Sequence, residues 1–219
     1  MKIYDAPGFP NPARIRIVLA EKGLDSQINF INVNLFAAEH KQPAFLAKNA
    51  TGVVPVLELD DGTLIAECIA ITQYLDNLDG NPVLTGTTPR EKAIIQMMQK
   101  RADDLMIDTI GTYFHHATPG LGETLQAFKS PEWPHRKEWG ERQLARFMDA
   151  LRYFNGVLET TGQPYLAGDK FSVADITAYC ALLHAAFPGI HIPAELTALT
   201  AWQARVAELP SVKNRSGQS

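Results

Sequence analysis

Apolar and polar positions along the first eighty residues switch repeatedly between a period of two and a helical period. Residues 2–4 read as a short strand, followed by a loop of Pro and Gly from Asp5 to Pro10. Asn11 then reads as a helix cap with Pro12 at the first helical position, where no N–H is needed. Ile15, Val18 and Leu19 share one helical face, and Gly23 ends the helix after Lys22. Residues 28–33 alternate over a strand's length, and residues 43–47 suggest a short helix. Two apolar runs flanking Asp61-Gly62 mark a hairpin. Residues 67–78 follow as a helix with Ile71, Leu75 and Leu78 in register. The order is βαβ, a short helix, then ββα.

After Leu78 the pattern changes. The turn residues of DGNPVLTGTTP, residues 79–89, read as a linker. Beyond it the spacing is helical throughout. Residues 90–116 form a first helix, broken at Thr118 and the Pro-Gly-Leu-Gly that follows it. A second carries Leu144, Phe147, Met148, Leu151 and Leu158 on one face. A third opens with Ser172 and Asp175, a capping box with Asp in place of Glu, and Phe171 against Ile176 as its staple. A fourth carries Leu196, Leu199, Val206 and Leu209. The expected organisation is an α/β domain over residues 1–79, a linker over 80–89 and an all-α domain over 90–219.

Composition narrows the function. Of the 219 residues 46% are hydrophobic and 20% charged, enough apolar material for a packed core. The net charge is −4, so no basic excess exists to neutralise phosphates, and nucleic acid is not an expected partner. The most apolar stretch, residues 178–187, is too short to span a bilayer. The N-terminus lacks the apolar core of a signal peptide. Cys68 and Cys180 form no C-x-x-C, which leaves no cysteine-based metal site or dithiol motif. Two reduced thiols in a cytoplasmic protein is the expectation. Cys180 sits on an apolar helix face and reads as a core thiol. His115 and His116 are adjacent on a helix and point about 100° apart, so they read as pocket or surface residues rather than a metal pair.

Four local motifs lie on this framework. They are NPARIRIVLAEKG over residues 11–23, Gly52-Val53-Val54-Pro55-Val56-Leu57, Glu67-Cys68-Ile69-Ala70-Ile71, and LAGDKFSVAD over residues 166–175. In this order they resemble the cytosolic, bacterial-type glutathione S-transferase family, whose members join a thioredoxin-like domain to a C-terminal helical bundle. The resemblance implies glutathione as co-substrate and a homodimer. It implies that Pro55 is cis, so that the Val54 main chain faces outward and pairs with an extended peptide. It places a γ-glutamyl carboxylate at the helix opened by Glu67 and Cys68, with Glu67 accepting from the ammonium group. Cys68 stands where the family has Ser and offers only a weak S–H donor. His40 matches a position that meets the glycyl carboxylate.

The reaction this implies is attack by the glutathione thiolate on an apolar electrophile held between the domains, with Phe9 and Tyr113 lining the substrate site. A thiol of pKa near 8.5 is only about 3% ionised at pH 7, and lowering it by two units takes about 2.7 kcal/mol. The family places a hydroxyl or thiol in the loop before the first helix to supply this. Here Phe9 occupies that position and has no hydrogen to donate. Asn11, at the helix N-terminus, is the first candidate to replace it, and Tyr4 the second. Two other readings remain open at this point: glutathione-dependent disulfide or peroxide reduction, and a non-catalytic module that keeps the fold for binding.

Overall fold

The computed structural model describes residues 1–118 and 136–213, which divide into two compact units, Met1–Pro82 with Pro210–Lys213, and Val83–Leu209. The return of the C-terminal turn to the first unit lies outside the boundaries expected from the linker alone. Most of the expected break after Thr118 falls outside the described residues.

In the first unit the chain runs β1 (Lys2–Asp5), α1 (Pro10–Lys22), β2 (Asn29–Asn32), α2 (Pro43–Leu46), β3 (Val56–Glu58), β4 (Leu64–Ala66) and α3 (Cys68–Asn77). The sheet order is β2-β1-β3-β4, with β1 parallel to β2 and the other pairs antiparallel. This is the thioredoxin-like arrangement. Gly62, at φ 87°, makes the hairpin turn between β3 and β4.

Helix α1 departs from the simple amphipathic reading. Every residue from Pro12 to Leu19 is buried, Arg14 and Arg16 included. Arg16 is accommodated because its Nε and Nη2 both donate to Asp5 Oδ2, the Nε at 2.8 Å. Its guanidinium also lies 3.9 Å from the centre of the Phe30 ring. Ile17, Val18 and Leu19 are fully buried, each worth roughly 1.5–3 kcal/mol relative to exposure. Gly23, left-handed at φ 62°, closes the helix. Lys22 reaches across to the Asp76 and Asn81 carbonyls and the Asp79 carboxylate. The last turn, α9 (Pro210–Lys213), docks on α1, where the Ser211 hydroxyl donates to Glu21.

The second unit contains α4 (Pro89–Ala102), a five-residue π segment (Asp103–Ile107), α5 (Asp108–Ala117), α6 (Lys137–Thr161), α7 (Val173–Ala186) and α8 (Thr197–Ala207). The single helix expected over residues 90–116 thus carries a π-bulge, which periodicity alone does not reveal. Thr88 caps α4 by accepting from the Glu91 N–H at 3.2 Å. Glu91 accepts in return from the Thr87 hydroxyl and the Thr87 and Thr88 amides, which hold its carboxyl down at about 2.

The Ser172–Asp175 box forms as expected and reaches further. Asp175, fully buried, accepts from the Ser172 amide and hydroxyl at 3.0 and 2.8 Å. It also accepts from the Leu166 amide at 2.9 Å and the Trp202 indole at 2.8 Å. One carboxylate therefore caps α7, fixes the preceding loop and orients the largest core side chain. Phe147, Phe154, Met106 and Trp202 form the fully buried centre of this unit. Cys180 is buried, and both cysteines are free thiols.

Candidate functional site

Strand register gathers the site. Tyr4 of β1 pairs with Val56 of β3, which pairs with Ala66 of β4, while Asp5 pairs with Asn32 of β2. The loop from Ala6 to Phe9, the segment after Asn32, the Val54-Pro55 pair and the Glu67-Cys68 pair consequently emerge at one end of the sheet. An apolar bed of Ala6, Val33, Phe45, Val54 and Val56 lies there, with Tyr4, Phe9 and Leu35 packed on it.

The Val54–Pro55 peptide is cis. The Val54 side chain is 7% exposed and anchored in that bed. Its main-chain N–H and C=O meet no partner among the described residues, leaving a short edge able to pair with an extended peptide. Two residues absent from the sequence-based candidates hold this edge. Asn49 donates from Nδ2 to the Val53 carbonyl at 2.9 Å and accepts from the Thr51 amide and hydroxyl. Lys41 donates to the Gly52 carbonyl at 2.5 Å, and its burial pulls the ammonium pKa down. Gly52 sits at φ 59°, and a Cβ there would lie 2.9 Å from the His40 carbonyl and from Lys41 Nζ. An Asn three residues before a Gly is an Asx-turn signal that could have flagged Asn49. His40 lies in a 3₁₀ turn (Glu39–Lys41) and is buried.

Glu67 is exposed at the N-cap of α3, with the left-handed backbone angles φ 68° and ψ 125°. A non-glycine residue there costs of order 1–3 kcal/mol, and such strain collects at functional sites. Its side chain makes no capping bond. The start of α3 thus presents an acidic side chain beside a positive helix end, a pairing suited to a ligand carrying both an ammonium and a carboxylate.

The start of α1 corrects the expected role of Asn11. The helix begins at Pro10, two residues earlier than expected, and Phe9 is the N-cap with extended backbone. Pro10 needs no N–H at that position and its φ is already helical, so it starts the helix as readily as Pro12 would. Asn11 is therefore the second helical residue and caps nothing. Its Oδ1 accepts from Arg14 Nη1 at 3.1 Å. Because prolines occupy both neighbouring positions and the Ala13 amide is spent on the Phe9 carbonyl, the Asn11 N–H is the one open main-chain donor of this turn among the described residues. Tyr4 is removed as a thiol donor, since its hydroxyl donates to Glu58 at 2.6 Å. Cys68, the first residue of α3, is buried, and its Sγ donates to the Asn11 carbonyl at 3.5 Å.

Phe9 is half-buried and meets the exposed Phe36 edge-on, with ring centres 6.2 Å apart. Tyr113 is half-buried on α5 of the second unit. No His, Cys, Asp and Glu cluster suited to a metal occurs among the described residues.

Comparison with known proteins bears on this arrangement. Residues 1–77 match the model of the glutathione S-transferase N-terminal domain, and residues 105–210 that of the C-terminal domain. The chain is 53% identical to Glutathione S-transferase 2 of Saccharomyces cerevisiae over 97% of its own length and 88% of that protein's.

The chain belongs to the glutathione S-transferase family.

Glutathione is the co-substrate of this family. The backbone superimposes on the crystal structure of Gtt2 from Saccharomyces cerevisiae with a TM-score of 0.91 at 52% identity, covering 98% of this chain and 99% of that one. A glutathione S-transferase domain-containing protein from Marinobacter aquaeolei gives 0.88 at 48% identity, covering 97% and 100%. As a glutathione S-transferase, the chain is an enzyme.

Proposed function

We propose that this glutathione S-transferase conjugates the glutathione thiolate to an apolar electrophilic small molecule. The observation that carries the reading is the convergence, at one end of the sheet, of an open main-chain edge at Val54 with the strained, exposed Glu67 at the start of α3. Glutathione is an extended peptide with an ammonium and a carboxylate at one end. Val54, beside Pro55, takes its cysteinyl unit by strand-like pairing. Glu67 accepts from its ammonium group, and the Cys68 amide at the start of α3 receives the γ-glutamyl carboxylate. His40 belongs to the glycyl end.

A thiol bound at the Val54 edge ionises at the start of α1, where the open Asn11 N–H, its side-chain amide and the positive helix end favour the anion. Phe9 supplies an apolar wall for the electrophile, and Tyr113 is assigned to the same substrate on the family resemblance alone. The active form is a homodimer in the cytoplasm. No helix among the described residues is long and apolar enough to cross a membrane.

Calorimetry with glutathione, followed by turnover against aryl and alkyl halides, disulfides and hydroperoxides, tests the reading. Binding without turnover of any electrophile would leave a binding module, and turnover confined to disulfides or hydroperoxides would make the enzyme a reductase.

A further inference from the structure

Cys68 stands where a family serine would donate to the γ-glutamyl carboxylate, yet its hydrogen points elsewhere. The Sγ is 3.5 Å from the Asn11 carbonyl oxygen, so the S–H bond joins the first turn of α3 to the first turn of α1. Asn11 is in turn held from its other side by Arg14, whose Nη1 donates to Oδ1 at 3.1 Å, and is flanked by two prolines. The residue presenting the one main-chain donor at the start of α1 that is open among the described residues is thus fixed through its carbonyl, its side chain and its neighbours.

We infer that Cys68 is a positioning residue for thiolate formation: through the Asn11 carbonyl it sets the orientation of the α1 donor that receives the glutathione sulfur. It does so without touching the ligand through its own side chain. The inference rests on the glutathione site proposed above. A thiol is a weak donor, so the bond tunes an orientation rather than holding the fold together. Losing it lowers ionisation of the bound thiol while leaving the γ-glutamyl contact to Glu67 and the α3 amides.

The experiment compares wild type with Cys68→Ala, Cys68→Val and Cys68→Ser. Val nearly conserves volume without a donor, which guards against a packing defect in the alanine variant. Glutathione affinity is read by calorimetry, the bound thiol's pKa by thiolate absorbance against pH, and kcat at saturating glutathione. Ala and Val should raise the thiol pKa and lower kcat by about 3- to 10-fold, the span of an ordinary net hydrogen bond, with Kd within about twofold of wild type. Ser, whose O–H donates in the same direction, should restore both. A several-fold loss of affinity at unchanged thiol pKa would place the Cys68 side chain on the ligand and overturn the inference. So would wild-type behaviour of both donor-free variants, or loss of activity in Cys68→Ser together with a glutathione mixed disulfide on the wild-type residue. Wild-type protein that fails to bind glutathione in the same calorimeter would instead overturn the proposed site itself.

Discussion

Val54 and Glu67 stand at the same end of the β3–β4 hairpin because Val56 pairs with Ala66, so the residues just before one strand and just after the other emerge together. The first offers a main-chain edge and the second an acidic side chain on a strained backbone. Neither alone defines a ligand; together they match a peptide with an amino-acid head group.

Glu67 carries the sharpest binding prediction. Glu67→Ala should weaken glutathione binding by about 1.5–3 kcal/mol, the worth of a charge-assisted hydrogen bond. Glu67→Gly separates ligand from strain. It should bind as poorly as the alanine variant, yet be no less stable than wild type, since glycine adopts φ 68° without cost. Calorimetry and urea unfolding give the two numbers, and wild-type affinity in either variant removes Glu67 from the site.

Asn11 is tested by charge. Asn11→Asp should fold normally, because the residue does not cap α1 and a carboxylate near a helix start is favourable. The negative charge beside the thiolate should raise the bound thiol's pKa and lower turnover strongly. The readout is thiolate absorbance against pH. An unchanged titration would assign thiol activation to the main chain and helix end, without the side chain.

Gly52 holds the Val54 edge in place. Gly52→Ala should destabilise the protein by about 1–3 kcal/mol, since alanine must take φ 59° and its Cβ would meet the His40 carbonyl at 2.9 Å. Because the turn carries Val53 and Val54, glutathione affinity should fall as well. Thermal unfolding and calorimetry decide, and a fully stable Gly52→Ala protein would contradict the tight packing there.

Asp175 and His184 should give opposite pH dependences in the second unit. Burial raises the Asp175 carboxyl to about 6, so the folded state holds a proton that the unfolded chain has released, and stability falls as pH rises from about 4 to 6. Burial lowers His184, packed 4.9 Å from the Phe114 ring centre, to about 4. There the unfolded chain holds the extra proton, and stability falls as pH drops from about 6.5 to 4. The two slopes oppose each other in wild type. Relative to it, His184→Phe should become less stable as pH rises across this window, and Asp175→Asn more stable. Urea unfolding at several pH values measures these differences, and parallel curves for all three proteins would show that neither group is shifted.

The sequence by itself determined the order of elements, the Asp61-Gly62 hairpin, the Gly23 stop and the Ser172–Asp175 box, because each depends on neighbours within a few residues. It also carried the motifs that mark the family. Tertiary structure decided what depends on distant partners. Arg16 is buried because Asp5 and Phe30 receive it. Tyr4 is occupied because strand pairing brings Glu58 within reach. Asn49 and Lys41 matter because the chain folds back on Gly52. Which of two prolines starts α1, and where the Cys68 hydrogen points, were equally invisible along the chain. Both Pro10 and Pro12 satisfy the local rule, and a side chain's acceptor 57 positions away exists only after the strands have paired.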